Sequence, residues 1–197
     1  MKIIFFGDSI TKAGVLNKGY IDLLKSKFNR AAGTLELLGA GIDGNKVYDL
    51  YLRLETDVLD HEPDIVVIYI GINDVWHKTS GIGTDIEKFE QFYHAIIKKL
   101  QQKNIRVVLC TASMIGEKPK GNAQDADLDA YSAVVTALAK QYNCSLVDLR
   151  LVFKKYEMAY NTKSKTAGIL TTDGVHLNDK GNQLVAEEML KILMPAI

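Results

Sequence analysis

Cysteine is scarce: the 197 residues include only Cys110 and Cys144. Two thiols do not make a disulfide framework, and neither lies in a C-x-x-C pair of the redox or zinc kind. Both sit beside predicted strands, where a thiol reads as a small buried hydrophobe. An excess of one charge is also lacking, since Lys plus Arg and Asp plus Glu number 24 each. With no global field to recruit a polyanion, nucleic acid is not an expected partner. No run approaches the ~20 apolar residues of a membrane span. No secretory leader is expected in this chain, because strand residues begin at position 2 and polar residues follow by position 8, although a leader already removed would leave the same pattern. The expectation is a cytoplasmic protein with no membrane span. No repeat, low-complexity tract or linker divides the sequence, so residues 1–197 read as a single domain.

What is present is an alternation of short apolar runs and helical patterns. Ile3 to Phe6, Leu35 to Leu38, Ile65 to Ile70, Ile105 to Thr111 and Leu146 to Leu149 read as five strands. Helical spacing appears over Leu16 to Ala32, where Gly33 closes it, and over Val47 to Val58, Ile86 to Leu100, Leu128 to Tyr142 and residues 150–161. A last helix begins near Asn178, a good N-cap. Strands alternating with helices predict an α/β fold, a three-layer α/β/α sandwich around a parallel sheet. For five strands, right-handed crossovers favour the flavodoxin-like order 2-1-3-4-5. That order sets the first and third strands side by side and opens a crevice at their carboxyl ends.

Three turns converge there. The first strand runs into Gly7-Asp8-Ser9, the second into the glycine-rich turn ending at Gly44, and the third into Gly71-Ile72-Asn73-Asp74. A serine needs a base to become a nucleophile. Of the four histidines, His61 precedes Pro63 in a polar connection and His94 falls among helix residues, so both read as solvated or packing side chains. His77 follows the third strand and could line the crevice, but nothing near it in sequence orients it. His176 differs, because Asp173 lies three residues earlier in Thr172-Asp173-Gly174-Val175-His176. A carboxylate folded back onto the ring nitrogen facing away from the serine fixes the tautomer and stabilises the imidazolium. Ser9, His176 and Asp173 thus read as nucleophile, base and orienter. The backbone N–H groups of Ser9 and Gly44 and the side-chain amide of Asn73 are the candidate oxyanion donors. Asp8 reads as a brace for the turn that also lines the substrate crevice, together with Trp76 and His77. No ligand-spaced His/Cys cluster and no G-x-x-x-x-G-K-[ST] loop is present, so neither metal nor cofactor is expected.

These blocks carry a resemblance. Gly7-Asp8-Ser9-Ile10, Gly41-Ile42-Asp43-Gly44, Gly71-Ile72-Asn73-Asp74 and Asp173-Gly174-Val175-His176 resemble, in order, the four sequence blocks of the SGNH hydrolases, the GDSL esterase/lipase family. The resemblance reaches from the first strand to the last helix. It implies a flavodoxin-like sandwich with Ser9, His176 and Asp173 as triad and Ser9, Gly44 and Asn73 as oxyanion hole. Two positions depart from the family pattern. Ile10 stands in place of a leucine, and Gly39 stands where many members open the second block with asparagine, which leaves Gly41 as an alternative donor to Gly44.

The reading that follows is a serine esterase acting through an acyl-enzyme on a small-molecule, short-chain ester. Trp76 at a crevice edge could stack on a sugar ring, which would make O-acetyl groups on carbohydrate the substrate. Two alternatives stand beside it. One is a non-catalytic carbohydrate- or acyl-binding domain on the same fold; the other is an acyl transferase, thioesterase or lysophospholipase using the same triad.

Overall fold

The opening apolar run forms β1 (Lys2–Gly7), buried along its length apart from Lys2. The computed structural model describes residues 1–28 and 35–194. After β1 come α1 (Ser9–Gly14), α2 (Tyr20–Phe28), β2 (Glu36–Gly41), α3 (Val47–Leu52), α4 (Leu54–Asp57) and β3 (Ile65–Tyr69). Next are α5 (Ile72–Trp76), α6 (Ile86–Gln102), β4 (Arg106–Cys110), α7 (Asp125–Gln141), β5 (Ser145–Val147), α8 (Leu149–Tyr160) and α9 (Asp179–Leu193). The strands pair in parallel in the order β2-β1-β3-β4-β5, the order expected. β1, β3 and β4 are buried on both faces, which is why they read as unbroken Ile, Val and Phe runs.

Crossover handedness distributes the helices. The chain moves from β1 outward to β2 in one direction, then back across β3, β4 and β5 in the other. Right-handed connections therefore put α2 on one face and α3, α6 and α7 on the opposite face. The packing agrees: α6 contacts α3 and α7, whereas α2 contacts α9. The inward stripe of α6 consists of Phe89, Tyr93, Ile96, Ile97 and Leu100, all with no accessible surface. Phe89, Ile96, Ile97 and Leu100 each contribute on the order of 1.5–3 kcal/mol by leaving water. Among the described residues, no helix is long and apolar enough to cross a membrane.

The structure departs from the sequence expectations in three places that shape the site. The helix expected over Leu16 to Ala32 begins only at Tyr20, and its expected end beyond Phe28 lies outside the described residues. A separate short helix, α1, starts at Ser9, and the chain turns through Lys18 at φ 65° before α2. The second strand continues to Gly41 instead of stopping at Leu38, pairing Gly39, Ala40 and Gly41 with Phe5, Phe6 and Gly7. Glycine is needed at Gly41 because α1 crosses it: a Cβ there would lie 2.2 Å from the Lys12 backbone nitrogen. Finally, the helix expected over Val47 to Val58 breaks at Arg53, whose φ of −106° and ψ of 10° leave helical space.

Candidate active site

Ser9 is the first residue of α1, directly after the carboxyl end of β1. Asp8 caps this helix, its Oδ1 accepting the Ile10 N–H at 3.0 Å. The first N–H groups of a helix have no acceptor within it, so the Ser9 amide is available at the rim of the sheet. From the far end of the chain, His176 brings Nε2 to 3.1 Å from Ser9 Oγ. Its Nδ1 lies 2.7 Å from Asp173 Oδ2. A carboxylate only accepts, so Nδ1 carries the proton and Nε2 is left as acceptor for the serine hydroxyl. The other Asp173 oxygen, Oδ1, accepts the N–H groups of Val175 and His176 at 2.9 and 2.8 Å. Burial works to raise the Asp173 pKa, but the ring and backbone donors of His176 and the Val175 N–H outweigh it and hold the carboxyl below its ordinary range.

The opposite wall is built from the β2–α3 turn and α5. Ile42 accepts from the Asn45 N–H at 3.3 Å, closing a turn in which Gly44 has φ +73°. That is left-handed backbone, which glycine adopts without the steric cost other residues meet. Gly41, the alternative donor, is the last residue of β2 and packs against the Asp8 carbonyl and Lys12; Gly44 stands beyond the strand. Asn73 was expected in a turn but lies in α5. Its Nδ2 donates one hydrogen to the Asn45 carbonyl at 3.1 Å, leaving the second for another acceptor. The neighbouring Asp74 accepts from the Val47 N–H at 3.2 Å, so α5 grips the segment that follows Gly44 with two consecutive side chains. Asp74 is fully buried, and burial pushes it up to about 6 against the opposing effects of Thr84, the Val47 N–H and Lys46.

The other sequence candidates separate. Asp8 does not line the crevice: only 1% of it is exposed, because its capping bond turns it beneath Ser9. Burial pushes it up to about 7, the Ile10 N–H opposing and Asp74 reinforcing this. Its role as a brace stands. Trp76 is half-buried, with its ring centroid 6.1 Å from that of His176 in an edge-on arrangement. His77 stacks at a tilt on Trp76 with centroids 5.7 Å apart, and burial followed by the charge of Lys46 lowers its pKa. His94 meets the Tyr142 hydroxyl, and His61 is exposed. Cys110 is a buried free thiol and Cys144 a half-buried one; burial raises the pKa of both.

Arg53 is a residue the sequence did not single out. Its Nη2 donates to the Gly7 carbonyl at 2.7 Å and to the Ala40 carbonyl at 3.1 Å. Nε donates to Asn45 Oδ1 at 2.8 Å, and Nη1 pairs with Asp57 at 2.7 Å. The guanidinium lies 4.4 Å from the Phe6 ring centroid. One side chain thereby ties the ends of β1 and β2 to the turn that carries Gly44. The only trace in the sequence is an arginine interrupting an apolar helical stripe.

Comparison with known proteins gives a consistent picture. The model of the GDSL-like lipase/acylhydrolase family matches residues 5–184. The crystal structure of an acetyl xylan esterase, AlAXEase, is 53% identical and superposes at a TM-score of 0.96, covering 98% of this chain and all of that one. An acetylxylan esterase of Geobacillus stearothermophilus is 28% identical over 96% of this chain and 92% of its own length. Catalytic mutants of Axe2, an acetylxylan esterase from the same organism, carry alanine in place of a serine, an aspartate or a histidine, the last two three positions apart. Their structures superpose at TM-scores of 0.82 to 0.83 with 26 to 27% identity, over 96% of this chain and 92% of theirs.

Proposed function

The chain belongs to the GDSL-like lipase/acylhydrolase family and is a serine hydrolase acting on ester bonds, and from that premise we propose that it removes O-acetyl groups from xylan-type carbohydrate. The observation that carries the reading is the relay from Ser9 Oγ through His176 to Asp173, at 3.1 and 2.7 Å. Identity to AlAXEase over 98% of the chain supports the carbohydrate acetate as substrate. The spacing of the Axe2 catalytic mutants supports Asp173 and His176 as a pair.

In this mechanism Ser9 Oγ attacks the acetyl carbonyl carbon while His176 Nε2 takes the hydroxyl proton. Asp173 keeps the proton on Nδ1 and stabilises the imidazolium. The negative charge that develops on the carbonyl oxygen is met by the Ser9 and Gly44 N–H groups and the second Asn73 Nδ2 hydrogen. The imidazolium then protonates the departing sugar oxygen as the C–O bond breaks, leaving acetyl-Ser9. Water attacks the acetyl group with His176 again as base, and acetate leaves.

Acetate release from acetylated xylo-oligosaccharide is the test. A Ser9→Ala variant with wild-type unfolding behaviour is expected to lose activity by about 10⁴-fold or more. Retention of wild-type turnover by that variant would sink the triad reading. A wild-type protein that cleaves an activated acetate ester but leaves acetylated xylo-oligosaccharide untouched would sink the carbohydrate assignment alone.

A further inference from the structure

Asp173 and His176 share one loop, and that loop has no regular secondary structure to stiffen it beyond a single bridge between Thr171 and Leu177. Besides the hydrogen bonds the loop makes within itself, a buried carboxylate on a different loop gathers its backbone. Glu117 is fully inaccessible. Its Oε2 accepts the Ile169 N–H at 2.7 Å, and its Oε1 accepts the Leu170 N–H at 2.7 Å, the Thr171 N–H at 2.5 Å and the Thr171 hydroxyl at 2.7 Å. The same hydroxyl accepts the Gly174 N–H at 2.9 Å. On its other side, Gly174 offers its carbonyl to the Gly116 N–H at 2.8 Å. Gly174, between Asp173 and His176, is therefore held from both flanks by Glu117 and its neighbour. Asn161 seats Glu117 in turn, donating to its carbonyl at 2.6 Å.

We propose that Glu117 is a positioning residue for the esterase reaction, fixing the Asp173–His176 loop so that the imidazole meets Ser9. The inference rests on the triad reading above. The chemistry explains the residue type: four donors converge, and a carboxylate offers two oxygens with lone pairs for all of them. An amide would turn an NH₂ group against donors. A shift of the loop of the order of 1 Å moves Nε2 out of reach of Oγ, and misplacement on that scale costs about 100-fold in rate. In this role Glu117 acts on the reacting imidazole and not on the sugar, so the loss is expected in kcat.

The test compares Glu117→Gln, Thr171→Val and Ser9→Ala on acetylated xylo-oligosaccharide and an activated acetate ester, at a temperature where thermal unfolding shows each variant folded. Glu117→Gln is expected to lower kcat about 10- to 100-fold on both esters with KM within about twofold. Thr171→Val nearly keeps the side-chain volume and removes the hydroxyl that links Glu117 to Gly174, leaving the three backbone N–H bonds to Glu117 in place; its expected loss in kcat is about 3- to 10-fold. It decides the matter if Glu117→Gln does not fold. Folded variants with wild-type kcat, or with a raised KM at unchanged kcat, would overturn the proposal. Such a result together with an inactive Ser9→Ala protein would leave the triad reading standing, whereas an active Ser9→Ala protein would sink the triad itself.

Discussion

Asp173 binds His176 twice, through the ring at Nδ1 and through the backbone N–H. The three-residue separation makes this possible: a carboxylate at the start of a tight turn reaches the amide and the ring of the residue that ends it. Local geometry of this kind is written in the sequence, and so the pair could be recognised there. Trp76 was legible only as an aromatic near the crevice. The structure adds that its ring stands edge-on to the His176 imidazole. A sugar ring carrying the acetyl group would lie against this face, whereas a small aryl acetate would not need it. Trp76→Ala is accordingly expected to raise KM for acetylated xylo-oligosaccharide about tenfold, equivalent to ~1.4 kcal/mol of binding, and to change kinetics on a small activated acetate by less than about twofold. Equal losses on both substrates would show that Trp76 packs the catalytic loop and does not bind sugar.

Among the elements, the buried strands were the most legible. Ile65 to Tyr69 is apolar throughout because helices cover both faces; its length and β-branched composition point to a strand, and the favoured order of five parallel strands points to its place in the sheet. The break at Arg53 was not legible, because its cause lies in carbonyls far away in sequence, at Gly7 and Ala40. Glu117 escaped for the same reason: a glutamate in a polar loop carries no signal until the backbone donors it gathers are known. Arg53 joins β1, β2 and the Gly44 turn, and Asn45 in that turn accepts from the proposed oxyanion donor Asn73. Arg53→Met keeps the bulk and removes the donors to the Gly7 and Ala40 carbonyls and to Asn45, each hydrogen bond lost from a charged donor costing about 1.5–3 kcal/mol. The expected outcome is a kcat about tenfold lower with little change in KM, and a thermal midpoint several degrees lower. Arg53→Lys should not restore either property, since an ammonium cannot reach carbonyls on two strands and Asn45 at once. Steady-state kinetics and thermal unfolding on the two variants check this; a fully active Arg53→Lys protein would show that charge alone suffices.

At the scale of the whole molecule, the fold buries three carboxyl groups whose protons it holds more tightly than the unfolded chain does. Burial pushes Asp8 and Glu157 up to about 7 and Asp74 up to about 6. Glu157 is 2% exposed, and neither of its oxygens has a hydrogen-bond partner among the described residues; the nearby Glu117 charge adds to the rise, against Asn161 and Lys180. Between about pH 4 and pH 7 the unfolded chain releases these protons while the native state keeps them. The native state therefore binds more protons in that window, and stability falls as pH rises. Asp129 and Asp173 act in the opposite sense. Their depressed pKa values give stability that is present above about pH 4 and lost as pH falls through the folded values. His77, lowered by burial, recovers a little stability on the way up to about pH 6.5. The thermal midpoint is thus expected to peak near about pH 4 and to decline toward pH 8. Glu157→Gln separates one contributor from the rest: it should raise stability by about 1–3 kcal/mol at pH 8, or several degrees in midpoint, and by about a quarter of that at pH 5. A midpoint that is flat or rising from pH 5 to pH 8, or a Glu157→Gln gain of equal size at both, would show that these buried carboxyl groups do not set the pH dependence of stability.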